Sequence, residues 1–154
     1  MPTDLPFIDE FDVTIQASAP AVYEAVTRHL GRVFGTRGTR FAAVLLGCAH
    51  RGASYALPPV VGQETNGFVV AEVKEPHRLA LEGRHRFASY RLSFSVDPLA
   101  ENRVQLRAKT HAYFPRLHGR IYRALVIGSG GHEIVVRRML AAVAARAERM
   151  EKAA

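Results

Sequence analysis

Basic and hydroxyl-bearing side chains in the stretch RHRFASYRLSFSV (84–96) are of types that could bind a polar ligand group. Strand alternation places Tyr90 on the same face as Leu92 and extends that face back to Arg84 and Arg86. Cationic side chains that continue an apolar face are unusual in proteins. Such side chains could bind a carboxylate or polarise a carbonyl group.

Two alternatives for these arginines stay open. They could lie at an exposed strand end, or the alternation could shift before Ala88. A bulge that changed the register would instead place His85 and Phe87 on the inner face. The sequence therefore does not settle which of Arg84, His85 and Arg86 faces inward.

A second group of polar side chains surrounds the glycine cluster GSGG (128–131). Tyr122 precedes the cluster and His132 follows it. A histidine at this place could act as a general base or as a hydrogen-bond donor to a ligand. It could equally cap a helix or serve as a structural histidine, and both interpretations are kept.

The glycine cluster itself has two interpretations, a phosphate cradle or a break between helices. A cradle needs glycines between a strand and a helix N-terminus, and here the preceding RIYRALVI is helical or apolar. The Lys-Ser/Thr ending of a P-loop and the third glycine of G-x-G-x-x-G are both missing. We predict a hinge, with one helix ending at Gly128 and the next beginning near His132 or Glu133.

The single cysteine, Cys48, lies two residues before His50 in GCAH. A metal site or an activated thiol would need further ligands or partners, and no second ligand pair has suitable spacing. A small, semi-buried thiol is the simpler interpretation. No metal cluster, Ser-His-Asp spacing or cofactor motif stands out, so we predict neither a metal nor a cofactor.

Composition indicates one globular domain over residues 1–154, with 48% hydrophobic and 23% charged residues. The net charge is +7, and 18 of the 21 basic residues are arginines, which are scattered along the chain. Attraction to polyanions is compatible with this charge, but a dedicated nucleic-acid reader is not indicated. No apolar run could form a transmembrane helix and no signal peptide is recognisable, so we expect a cytoplasmic protein. A homodimer is left open.

The pattern along the chain predicts the elements that position these residues. It begins with a strand at 7–16 and a helix near 19–34, with Ser18 as N-cap. Residues 35–58 are expected to form a loop with one short helix. Alternation then predicts antiparallel strands in the segments GFVVAEVKEP, HRLALEG, RHRFASYRLSFSV and RVQLRAKTHAY, with DPLAEN as a connection.

Two faces follow from that pattern. Val136, Leu140 and Val143 recur at helical spacing, so the last segment is an amphipathic helix that lies on the sheet. A row of cations occupies the other face of the strands and is interpreted as a solvated face, with a functional basic stripe as the alternative. That row consists of Arg91, Arg103, Arg107 and Lys109.

The order of elements resembles the Bet v 1/START-like (SRPBCC) superfamily. In detail the chain is similar to uncharacterised bacterial DUF2867-type proteins, through GRHRFASYRLSF (83–94), FPRLHGRIYRALVIGSGGHEIVVRRML (114–140) and DVTIQASAPAVYEAV (12–26). The resemblance implies an α+β helix-grip fold, in which a curved antiparallel sheet wraps around a long C-terminal helix, here broken near Gly128–Gly131. It also implies an apolar cavity between sheet and helix, although the fold hosts both binders and cyclases.

The leading hypothesis is a protein that binds a small hydrophobic or amphipathic molecule, such as a lipid or polyketide, in this cavity. Small inward residues on the strands would leave room for it. A cyclase or aromatase-like enzyme in the same cavity and a basic protein-interaction module are the alternatives, with binding favoured over catalysis. The predicted ligand-binding residues are Arg86, Tyr90, Leu92, Phe94, Leu106, Tyr122, His132, Val136 and Leu140.

Overall fold

The computed structural model describes residues 4–52 and 55–154. In these residues six strands form one antiparallel sheet in the order β1-β6-β5-β4-β3-β2. The strands are β1 (Phe7–Ile15), β2 (Glu64–Thr65), β3 (Phe68–Lys74), β4 (Arg78–His85), β5 (Ala88–Ala100) and β6 (Arg103–Tyr113). The helices are α1 (Ala19–Phe34), α2 (Arg37–Leu46), α3 (Arg116–Arg123) and α4 (Gly131–Ala153), and a π-helical turn (Ala124–Gly128) follows α3.

The alternating pattern of β6 correctly predicts its two faces. The side chains at 104, 106, 108, 110 and 112 are all buried, and those between them are at least partly exposed. Across the β5–β6 pairing, Val96 lies opposite Leu106 and Phe94 opposite Ala108. A one-residue slip would turn this apolar set to solvent, so burial of one face specifies the register.

Helices α1 and α4 cover this part of the sheet. Val136, Leu140 and Val143 of α4 are buried in one core cluster with Val22 and Val26 of α1. The predicted amphipathic helix is thus confirmed. The end of α4 is also joined to the start of α1, because the Ser18 side chain, although at the N-cap position, donates to Glu151 Oε2 at 2.9 Å instead of capping its own helix.

Two predicted boundaries were wrong. The stretch 84–96 is not one strand, since a tight turn at Arg86 and Phe87 separates β4 from β5. The segment DPLAEN is mostly strand, because β5 continues to Ala100 and the reversal occurs at residues 101–102. In both places the reversal lies where the hydrogen-bonded pairing of two strands ends, and at Arg86 and Phe87 it does so without a turn-forming residue type.

The helical region is broken at the glycine cluster, as predicted. Gly130 has a left-handed φ of 77°, and α4 starts at Gly131, slightly before the predicted residue. Glycine adopts such a φ without the steric cost that other residues meet. The Ser129 hydroxyl donates to the Leu125 carbonyl and closes the π-helical turn. None of the described helices is long and apolar enough to cross a membrane.

The outer face of the sheet mixes cations with carboxylates. Three of the four cations in the predicted row are paired: Arg91 with Glu72 and Glu82, Arg107 with Asp97 at 3.4 Å, and Lys109 with Glu10 at 3.1 Å. Arg103 is exposed at the strand end. The row is a solvated face in which neighbouring acids offset most of the positive charge.

Candidate functional site

A cavity of about 320 Å³ lies beside the core and is partly open to solvent. Its floor is the inner face of β5 and β6, where two residue pairs continue the face that covers the core. Leu92 opposite Thr110 and Tyr90 opposite Ala112 line the cavity, whereas the next pair, Phe94 and Ala108, belongs to the core. The volume falls within the range of roughly 300–1,000 Å³ found for small-molecule pockets.

Small side chains on the floor leave the cavity empty. Ala88 and Ala112 both line it and have almost no solvent exposure of their own. On the opposite side α2 contributes Ala42, Ala43 and Leu46, which recur at helical spacing. Because four of these five positions carry alanine, the two layers enclose space without filling it.

Aromatic residues form the remaining walls. The ring of Tyr122 in α3 stacks on Phe87 at a centroid distance of 5.4 Å and lies edge-on to His85 at 5.0 Å. The ring of Phe68 meets both Phe34 and Tyr90. Offset-stacked and edge-to-face contacts of this kind fix ring orientation. The walls are therefore held in place by contacts among themselves.

Tyr90 supplies a hydroxyl whose position is fixed. Its ring lies over Gly83 of β4, where an added Cβ would fall only 2.3 Å from the ring, and its hydroxyl donates to the Gly67 carbonyl at 2.6 Å. Burial, with Cys48 close by, raises the pKa of the Tyr90 phenol well above its usual range. The phenol therefore stays neutral, and it lies close to the buried Cys48 thiol.

His85 is a neutral imidazole with an assigned tautomer. Its Nδ1 accepts the backbone N–H of Phe87 at 3.1 Å, so the ring proton resides on Nε2. Burial lowers the pKa of His85, which keeps the ring neutral near pH 7. His85 lines the cavity beside Tyr90 and Tyr122. It can therefore serve a ligand as a hydrogen-bond donor.

His132 lies on the first turn of α4 and lines the cavity near the floor. Its Nε2 is 3.1 Å from the Thr110 hydroxyl and 3.4 Å from Asp9 Oδ1. Asp9 and Thr110 are paired residues on β1 and β6, so the sheet register brings both to the same imidazole nitrogen. The Thr110 hydroxyl can donate to this nitrogen or accept from it, and the Asp9 carboxylate lies beside both groups.

The structure brings together four of the predicted ligand-binding residues and separates the other five from them. Tyr90, Leu92, Tyr122 and His132 line the cavity. The others lie outside its lining: Phe94, Leu106, Val136 and Leu140 are buried in the core cluster, and Arg86 is exposed in the β4–β5 turn.

Arg86 points away from the cavity because the strand ends before it. Its side chain lies against Gly47 at the end of α2 and borders a separate surface depression together with Arg84 and Arg51. The cavity also lies nearer to α2 and α3 than the sequence indicated, since the middle of α4 is packed directly on the sheet.

Sequence reasoning gave little weight to three of the lining residues. His85 was considered only for a shifted register, and Cys48 only as a semi-buried thiol. Asn66, which is buried and donates to the Phe34 carbonyl at 2.8 Å, was not considered. A polar residue beside Gly67 and next to a predicted strand is the one signal that could have drawn attention to Asn66. Among the described residues, no group of three or more potential metal ligands comes together.

Comparison with known proteins identifies the fold. No family model matches the chain, and no curated protein matches it. Among solved structures, the Zhui aromatase/cyclase from Streptomyces sp. R1128 is 17% identical with a TM-score of 0.56, over 95% of each chain. Norcoclaurine synthase from Thalictrum flavum is 13% identical with a TM-score of 0.53, over 96% of each chain.

A third neighbour is the di-domain aromatase/cyclase BexL of the BE-7585A biosynthetic pathway, at 18% identity and a TM-score of 0.57. The match covers 91% of this chain and 46% of BexL. At such identities the likeness establishes architecture alone. The chain has the helix-grip, Bet v 1-like fold, with a six-stranded antiparallel sheet and a long C-terminal helix.

Proposed function

We propose that this protein binds a small hydrophobic or amphipathic molecule, of lipid or polyketide character, in the cavity between the sheet, α2 and α3. The observation that carries the proposal is a largely carbon-lined space of about 320 Å³ with polar groups at two places on its wall. Transfer of an apolar surface from water into such a space is favourable by roughly 25 cal/mol per Å².

The polar groups indicate a ligand that is neutral where it meets the wall. Tyr90 and His85 are held in their neutral forms, and Arg91 is engaged by Glu72 and Glu82 on the outer face. An ionised ligand group would lose its hydration here without an opposite charge in return. A ligand hydroxyl or carbonyl could instead hydrogen-bond to His85 or His132.

Native mass spectrometry of the purified protein, followed by solvent extraction, tests the proposal. We expect a co-purified small molecule, or saturable one-to-one binding of a neutral naphthyl fluorophore such as N-phenyl-1-naphthylamine. The proposal fails if the protein carries no small molecule and the fluorophore shows no saturable binding.

A second candidate function is proton transfer on a ligand bound in the same cavity. One observation favours it: the imidazole of His132 lines the cavity and is oriented there by the Thr110 hydroxyl at 3.1 Å and the Asp9 carboxylate at 3.4 Å, as a general acid or base would need to be. The test is solvent-deuterium exchange into the extracted ligand. We expect wild-type protein to raise the ligand's mass and His132→Gln to abolish the increase, and equal exchange with both proteins rejects the candidate.

Two finer expectations belong to the proposal. One is the similarity to bacterial DUF2867-type proteins in the segments 83–94 and 114–140. The other is a cytoplasmic location. The paired carboxylates on the outer sheet face give no support to a basic interaction module at that place.

A further inference from the structure

Two segments beside the cavity contain arginines and no carboxylate. Residues 36–49 hold Arg37 and Arg40, and residues 114–132 hold Arg116, Arg120 and Arg123, with no Asp or Glu in either segment. All five side chains are exposed, and within residues 4–52 and 55–154 none of them forms an ion pair. This contrasts with the outer sheet face, where most cations are paired.

Large apolar side chains stand exposed on the same two segments. Leu117, Ile121 and Leu125 are 71%, 54% and 68% exposed, and Phe41 and Leu45 are 69% and 66% exposed. A spacing of four residues places Phe41 and Leu45 on one side of α2, and Leu117 and Ile121 on one side of α3. Leu125 follows in the π-helical turn. We call these five residues and the five arginines the docking surface.

The docking surface borders the candidate ligand site. On α2 the residues next to Phe41 and Leu45, namely Ala42 and Leu46, line the cavity. On α3 and the π-helical turn the same holds for Tyr122 and Val126, which follow Ile121 and Leu125. Each segment thus has one side toward the cavity and an apolar, arginine-flanked side toward solvent.

The unpaired positive charge of the docking surface indicates which kind of partner can bind there. A second copy of the chain would place arginines opposite arginines without a carboxylate to pair them, so self-association through this face is disfavoured. An anionic partner is required. Helices that lie in the plane of a lipid surface have this composition, with Leu, Ile and Phe below and Arg at the edges, where long side chains reach the headgroups.

We propose that the docking surface binds this protein to bilayers that contain anionic lipid, with α2 and α3 lying against the headgroups. This proposal stands on surface charge and exposed side chains and does not depend on a cavity ligand. Its consequence does rest on the proposed function: docking would place the cavity where an apolar ligand can pass between protein and bilayer.

Co-sedimentation with vesicles tests the binding. One set of vesicles is phosphatidylcholine alone, and the other contains phosphatidylcholine with phosphatidylglycerol. We expect binding to the anionic vesicles only, weakening as salt is added. Because the chain has no tryptophan, Leu125→Trp supplies a single reporter whose emission should shift to the blue when anionic vesicles are added.

Matched variants separate a specific surface from general basicity. Leu125→Asn should weaken vesicle binding about tenfold, since it removes one of the apolar side chains that the bilayer would bury. Leu99→Asn changes another exposed leucine, 50% exposed on β5, and should leave binding unchanged. Arg120→Gln should weaken binding on the order of fivefold, while Arg103→Gln on the outer sheet face should not. Circular dichroism checks that every variant is folded.

Three outcomes overturn the proposal. Equal binding to both kinds of vesicle, or to neither, rejects an anionic lipid surface. Equal losses for Leu125→Asn and Leu99→Asn reject this location. Retention on polyglutamate without vesicle binding assigns the surface to an acidic protein instead. Fluorophore binding in the cavity is measured separately, so failure of docking and failure of the proposed function are told apart.

Discussion

Substituting Ala112 by leucine should fill the cavity and leave the fold intact. Ala112 lies on the cavity floor opposite Tyr90. The three added carbons would be buried at about 0.8 kcal/mol each, or about 2.4 kcal/mol in all. Loss of side-chain rotamer freedom removes about 0.5–1 kcal/mol of this gain. We therefore expect Ala112→Leu to leave stability unchanged or to raise it by up to about 2 kcal/mol.

Ala108 provides the matched control. It lies four residues earlier on the same face of β6, is fully buried, and is paired with Phe94 on one side and Phe11 on the other. The core is filled at this position, so Ala108→Leu should overpack it and destabilise the protein by about 1–3 kcal/mol. The same substitution thus has opposite expected effects at two neighbouring inward positions.

Urea unfolding followed by far-UV circular dichroism measures both stabilities, and fluorophore titration measures binding. Ala112→Leu should weaken fluorophore binding by about tenfold or more, equivalent to about 1.4 kcal/mol. Ala108→Leu should retain the wild-type affinity in its folded fraction. If both variants lose similar stability and neither changes the affinity, the floor of β5 and β6 does not border the binding space, and the reasoning is refuted.

Two further predictions concern the glycine break and two partly buried histidines. Gly130→Ala should lower the free energy of unfolding by about 1–2 kcal/mol, because Gly130 has a positive φ. Gly128→Ala should be near neutral in urea unfolding, because an added Cβ there meets nothing within 4 Å. Equal effects of the two substitutions would contradict the assigned conformations. Burial lowers the pKa of both His85 and His29 from 6.5, so the unfolded chain takes up protons first on acidification. The free energy of unfolding should therefore be highest above about pH 6.5 and should fall as the pH drops toward the lower pKa values of the folded state. In His85→Gln this free energy should depend less steeply on pH. An unchanged pH dependence would show that His85 does not contribute.

The faces of the strands could be predicted because burial repeats with a fixed period. In β6 every second residue from Val104 to Ala112 faces the core or the cavity, and no other element interrupts the pattern. The spacing of Val136, Leu140 and Val143 in α4 is equally regular. The periodic spacing of apolar residues is therefore enough to predict the inward faces of these elements.

The turn between β4 and β5 could not be predicted from residue types. Arg86 and Phe87 form it, and neither is a glycine, proline, asparagine or aspartate that would mark a reversal. The turn is fixed by the pairing of His85 with Ala88 and of the residues before and after them. Because that pairing is not visible in a single sequence, Arg86 was assigned to an inner face that the strand does not reach.

The position of the cavity depends on which helix covers each part of a continuous sheet face. Where α4 lies over Phe94 and Leu106, Val136 and Leu140 fill the space. Toward the other end of the face α4 begins at Gly131, and its first turn offers His132, which engages Thr110 by a hydrogen bond and leaves apolar space beside it.

Beyond the glycine break, α3 is held by contacts at the cavity wall. Tyr122 stacks on Phe87, and the backbone of Phe114 lies within about 3 Å of the position of a Cβ added at Gly119. A helix that continued straight through residues 124–131 would carry further apolar side chains over the floor, as α4 does over the core. The GSGG segment thus contributes to ligand space because α4 begins only at Gly131. Small residues at 88 and 112 then leave the volume that the shortened helix does not fill.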